Sequence, residues 1–126
     1  MKLHLLCTVI FVFLLSICFF SIESVDHITT QTESTLQEAV ELYRTGNYKA
    51  GSDAIMQTYD FWENKSKMLN MLLYHEQIDD ITVQLIKLNV RASEVNLEEI
   101  FTGCAELSAL LDQIREMEHP YLENIL

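Results

Sequence analysis

The chain has 126 residues, enough for one small domain after a hydrophobic start and too few for two. Nineteen acidic residues face eight basic ones, for a formal charge of -11. Such a surface repels phosphate, which argues against a nucleic-acid partner, and it repels anionic lipid head groups. Cations and basic protein surfaces are the favoured partners, although the same charge also serves simply to keep a small domain soluble. Hydrophobic residues make up 49%, so a core can be built, and three glycines with one proline argue for helices over a turn-rich sandwich. Cys7 and Cys18 lie in the hydrophobic start and only Cys104 lies beyond it, so no disulfide can form within the domain. That fits the exterior of a bacterium better than a eukaryotic secreted module.

Leu5 through Ile22 run 18 residues without a charge. As a helix they would span about 27 Å, close to the hydrocarbon core of a bilayer. The run exceeds the usual length of a signal-peptide core, and the exit at Ile22-Glu23-Ser24 puts a bulky residue where a signal peptidase needs a small one. Leu15-Ser16-Ile17-Cys18 imitates a lipobox but has Ile17 where a small residue belongs. An uncleaved anchor is therefore expected ahead of a cleaved signal peptide and secretion, and a lipoprotein ahead of neither. Lys2 precedes the run and Glu23 and Asp26 follow it, so the N-terminus is expected inside and the domain outside the cell membrane.

Residues 1–24 are thus read as a transmembrane signal anchor, 25–35 as a polar stalk or the start of a helix, and 36–126 as an all-α extracytoplasmic domain. Leu36, Ala39, Val40 and Tyr43 share one helical face. Gly46 is placed to end that helix and Asn47 to cap the next. In the second helix Tyr48, Ile55, Trp62 and Leu69 fall seven apart, interleaved by Ser52, Tyr59, Ser66 and Leu73. The stripe loses phase near 74–77, since continuing it would bury Glu76, Asp80 and Lys87. A third helix then carries Ile78, Ile81, Leu85, Leu88, Ala92 and Val95. Asn96 with Glu99 reads as a variant capping box, and Leu97, Ile100, Phe101, Cys104, Leu107, Leu111 and Ile114 form the apolar face of a fourth helix. Pro120 is expected to end it, leaving Tyr121, Leu122, Ile125 and Leu126 as a last apolar turn. The fold expected is a transmembrane helix followed by four antiparallel helices, as two stacked α-hairpins or a four-helix bundle. The Leu42–Ala50 joint is similar to that of a tetratricopeptide-type hairpin, in packing only.

One cluster carries candidate chemistry. His75 and Asp79, and Glu76 and Asp80, are i, i+4 pairs that could grip a divalent cation. A second histidine is missing for a metalloprotease, and acids in a first helical turn are better explained by the helix dipole. Neither a metal nor any other cofactor is expected. Tyr59 and Trp62 are expected in the core, with Phe61 off the stripe. Cys104 is expected to be a buried, inert thiol, having no neighbouring base in sequence.

The membrane-length start, Trp62, the stretch Leu72-Leu73-Tyr74-His75-Glu76-Gln77-Ile78-Asp79-Asp80-Ile81 and the ending Leu122-Glu123-Asn124-Ile125-Leu126 resemble domain-of-unknown-function family 4363. The resemblance covers essentially the whole chain. It implies a small membrane-anchored protein of Gram-positive bacteria with an extracytoplasmic helical domain, and it carries over no catalytic residue. The reading that follows is a non-enzymatic interaction or scaffold module whose partner is another envelope or membrane protein. The alternative is an extracytoplasmic ligand or cation sensor built on the His75–Asp80 junction.

Overall fold

The described residues form four helices: α1 (Lys2–Arg44), α2 (Tyr48–Leu72), α3 (His75–Glu94) and α4 (Leu97–Ile125). The computed structural model describes residues 1–73, 75–94 and 96–125, and their side chains apart from 72 and 118–125; no strand occurs among them. Val95, Leu126 and the side chains of Tyr121, Leu122 and Ile125 therefore lie outside the described residues.

The expected anchor and the expected first bundle helix are one helix, so four elements replace five. No glycine or proline interrupts α1, and its polar stretch is self-satisfied. Thr29 donates to the Val25 carbonyl at 2.9 Å, Thr32 to that of Ile28 at 2.7 Å and Thr35 to that of Gln31 at 2.8 Å. Hydroxyls tied down in this way stop competing for other backbone groups, which lets a Thr-rich run stay helical. Residues 25–35 accordingly pack rather than dangle: Val25, Ile28, Thr29 and Thr32 are buried. Thr8, Ser16 and Ser21 make the same bond to the carbonyl four residues back.

α1 packs against α2 and α4, and α3 packs against the same two. The diagonal pairs make no close approach among the described residues, so the four helices form a ring around one core. Leu36, Ile55, Trp62, Leu69, Ile78, Leu85, Leu107 and Leu111 are fully buried there. In α3 every described residue of the expected stripe is buried; in α4 Ile100, Cys104, Leu107, Leu111 and Ile114 are buried, while Leu97 and Phe101 are half-buried at the edge of the core. In α2 the stripe through Ile55, Trp62 and Leu69 holds, but its companion is different. Tyr48 is exposed and Tyr59 half-buried, whereas Gly51, Ala54 and Thr58 are buried. Small residues let α2 approach its neighbours closely, and the larger tyrosines are displaced to the flank.

The first joint closes as a Schellman motif. Gly46 adopts φ +85°, a conformation that costs a side-chain-bearing residue, and its N–H donates to Tyr43 at 3.2 Å. The N–H of Asn47 reaches back to Leu42 at 2.9 Å. Asn47 occupies the N-cap position of α2, but its side chain makes no capping hydrogen bond. The Schellman turn sets its backbone at φ -89°, ψ 73°, outside the extended conformation from which a capping side chain normally reaches the next turn. The α2–α3 break comes at Leu73, which ends α2 by turning extended. At the third joint the Glu99 N–H donates to Asn96 Oδ1 at 3.4 Å, a long cap, while the Glu99 carboxylate turns to Arg91 at 3.8 Å instead of closing the box.

Pro120 does not end α4, which continues to Ile125. Proline at this position loses the donor toward the Glu116 carbonyl and crowds that carbonyl, a cost of about 3 kcal/mol in a helix interior, so the continuation of α4 goes against local propensity.

Gly51 faces the ring of Tyr43, and a Cβ there would lie 2.7 Å from two ring carbons. Tyr43 cannot retreat, being buried and stacked on Tyr48 at 5.9 Å. Alanine normally gains ~1 kcal/mol over glycine inside a helix, but overpacking costs ~1–3 kcal/mol. Gly51→Ala is therefore expected to lower the stability measured by denaturant unfolding, against its propensity.

Candidate functional site

His75, Glu76, Asp79 and Asp80 sit in the first turns of α3, as the sequence suggests, and all four are exposed. Glu76 in the first turn favourably faces the helix dipole. Among the described residues, no three His, Cys, Asp or Glu side chains are placed to share a metal ion. His4 and His27 are exposed, and the side chain of His119 lies outside the described residues.

The buried polar chemistry is elsewhere. Trp62 is fully buried, and its Nε1–H donates to Thr82 Oγ1 at 2.9 Å. Thr82 in turn donates to the Ile78 carbonyl at 2.9 Å. This relay satisfies the indole and fixes the register of α2 against α3. Nothing in the spacing could have paired residues 20 apart; only the tertiary fold brings Thr82 to the indole.

A second polar link joins α1 to α4. Arg115 bonds Glu33 across the helix interface and Asp112 one turn back on its own helix, with Thr30 at 3.4 Å. Burial alone would lower the pKa of Arg115, but its hydrogen bonds to Asp112 and Glu33 outweigh that and hold the guanidinium charged. The sequence offered only the i, i+3 pair Asp112–Arg115 as a signal, with no indication of Glu33.

Further along the same interface lies a groove of about 410 Å³, lined by Leu36, Gln37, Val40, Glu41 and Arg44 of α1 and Phe101, Cys104, Ala105 and Ser108 of α4. Arg44 covers it, pairing with Glu41 at 2.9 Å and lying 5.9 Å from the Phe101 ring centre. Cys104 is 4% exposed, and burial pushes its thiol from 9.0 up to about 11. A thiol so raised is almost wholly protonated at neutral pH and is a poor nucleophile. Phe61 is half-buried and packs on the core edge.

The chain matches, over residues 19–125, the family described as Domain of unknown function (DUF4363). It belongs to that family. The match takes in all four helices and begins inside the apolar part of α1. No curated protein and no solved structure matches the chain.

Thr82→Val keeps the shape of the side chain but leaves the Trp62 N–H without its acceptor, and should destabilise the protein by about 1–3 kcal/mol. A double-mutant cycle with Trp62→Phe would show the coupling; independent, additive losses would contradict the relay. The raised thiol of Cys104 has its own signature. Because the unfolded thiol ionises first, the contribution of Cys104 to stability is complete below pH 9.0 and is lost as pH rises toward about 11. Cys104→Ala should remove that part of the alkaline decline, and maleimide labelling of Cys104 at neutral pH should require unfolding.

Proposed function

We propose that this chain is a membrane-anchored interaction module rather than an enzyme, with its helical bundle held outside the cytoplasm. The observation that carries the reading is the division of α1. Through residue 20 this helix is exposed and mostly apolar, with Phe11, Phe13, Phe19 and Phe20 among the exposed side chains, while the remainder of the same helix is packed into the bundle. α1 is also long and apolar enough to cross a membrane or to act as a signal sequence. An exposed apolar helix of this size is unfavourable in water and favourable in lipid.

Uncleaved retention is the better reading of the two. A cut near Ser24 would fall inside a continuous helix, one residue before the buried Val25. A peptidase needs extended backbone at its cut site, and unwinding there would disturb packing. Lys2 on one flank and Glu23 and Asp26 on the other favour the N-terminus inside.

The bundle is read as two α-hairpins, α1–α2 and α3–α4, closed side by side into an up-down four-helix bundle. Short links and the ring of contacts support it. Solenoid stacking would set α1 beside α3, a pair that makes no close approach among the described residues. An acidic bundle on a tether, with an inert buried cysteine, suits protein recognition better than bond-making chemistry.

Protease added to intact cells should digest the bundle and leave the first helical turns in the membrane fraction. Complete protection would reverse the topology, and a soluble form trimmed near Ser24 in the culture fluid would replace the anchor with a signal peptide.

A further inference from the structure

Among the described residues, the outward face of α3 differs from every other outward face of the bundle. Its inward residues Ile78, Ile81, Leu85, Leu88 and Ala92 are buried, yet Val83, Ile86 and Val90 on the opposite side are 47%, 45% and 58% exposed. These three stand at i, i+3 and i+7 and make one stripe. Elsewhere beyond residue 20, the described exposed large hydrophobics are the scattered Tyr48, Met56, Met71 and Met117. Valine and isoleucine are poor helix formers, and on a solvent face they add nothing to the fold, so helix propensity does not explain them.

The stripe is bracketed by charge. One turn before Val83 lies Asp79, and one turn after Val90 lies Glu94, both exposed. Glu76 and Asp80 deepen the negative end, and Lys87 lies beside the middle. Two copies of this face would oppose carboxylates in either direction: Asp79 against Asp79 if parallel, Asp79 against Glu94 if antiparallel. Anionic lipid is disfavoured by the same groups. A helix that places apolar residues on the stripe and a Lys or Arg beyond each end is complementary throughout.

We propose that Val83, Ile86 and Val90, bracketed by Asp79 and Glu94, dock an amphipathic helix of a partner protein whose apolar stripe is flanked by basic residues. The proposal rests on the interaction-module reading and names its surface and partner class.

The test uses the full chain in phosphatidylcholine nanodiscs. The probe is a fluorescent synthetic helical peptide with Leu at i, i+3 and i+7 and Lys one turn beyond each end, compared with a twin carrying Glu in place of Lys. Binding of the Lys peptide is expected, with at least about tenfold weaker binding of the Glu twin and about tenfold loss in the triple variant Val83→Gln, Ile86→Gln, Val90→Gln. The thermal midpoint of that variant should be unchanged or raised. Four results would overturn the assignment: no binding of the Lys peptide, undiminished binding to the triple variant, a marked fall in its thermal midpoint, or a dimer of the parent chain that the triple variant abolishes. If the face fails while a partner cross-links to another helix in native membranes, the interaction-module reading stands without this surface.

Discussion

One helix has to satisfy two different surroundings. α1 runs unbroken from Lys2 to Arg44, about 64 Å at the usual rise per residue. Over its first part it is exposed, with no described residue covering it; over its second part it is a wall of the core. The transition falls between Ile22 and Val25, where Glu23 stays exposed and Val25 is already fully buried. No glycine or proline loosens that step, so the bundle is fixed to the apolar segment rather than hung from it. In the proposed setting, the orientation of the bundle is then set by the orientation of the anchor, and the outer face of α3 is held on the side diagonal to α1.

The polar links follow from the same constraint. A bundle built only from Leu and Ile stripes could slide in register, because one apolar layer resembles the next. The Trp62–Thr82 hydrogen bond marks one layer between α2 and α3, and the Arg115–Glu33 pair marks one between α1 and α4. Glu33 and Arg115 are 18% and 23% exposed, so their pairing is less screened than that of Arg44 with Glu41, at 63% and 65%. At the other end of α1, Gly46 and the close Gly51–Tyr43 contact fix the turn into α2. Each link ties one helix of the ring to its neighbour.

Much of this was legible because helical periodicity is a local signal. The stripes of α3 and α4, the apolar start and the left-handed Gly46 all follow from spacing and residue type. Misreadings arose where neighbours decide. Thr58 and Ala54 displace Tyr59 because α2 packs too closely for a tyrosine, and closeness is a property of the pair of helices. Composition leaves the Thr-rich stretch open between a stalk and a helix start; it is helical, with Thr29, Thr32 and Thr35 each bonding the carbonyl four residues back. Pro120 lies within α4 although proline is costly inside a helix, so this local stop signal does not decide where α4 ends. For the candidate site, the four residues at the start of α3 were correctly placed on one short stretch, but spacing alone cannot say whether side chains converge. Thr82 and Glu33 were invisible, their roles being created by contacts distant in sequence.

The continuity of α1 is most directly measured by hydrogen exchange on the full chain in nanodiscs, resolved across Phe20 to Leu36. An unbroken helix packed from Val25 onward predicts slow exchange through the whole interval, with no fast amides at the boundary. Rapid exchange confined to Glu23 through Ile28 would reveal a hinge, and a bundle free to swing on its anchor would contradict the account.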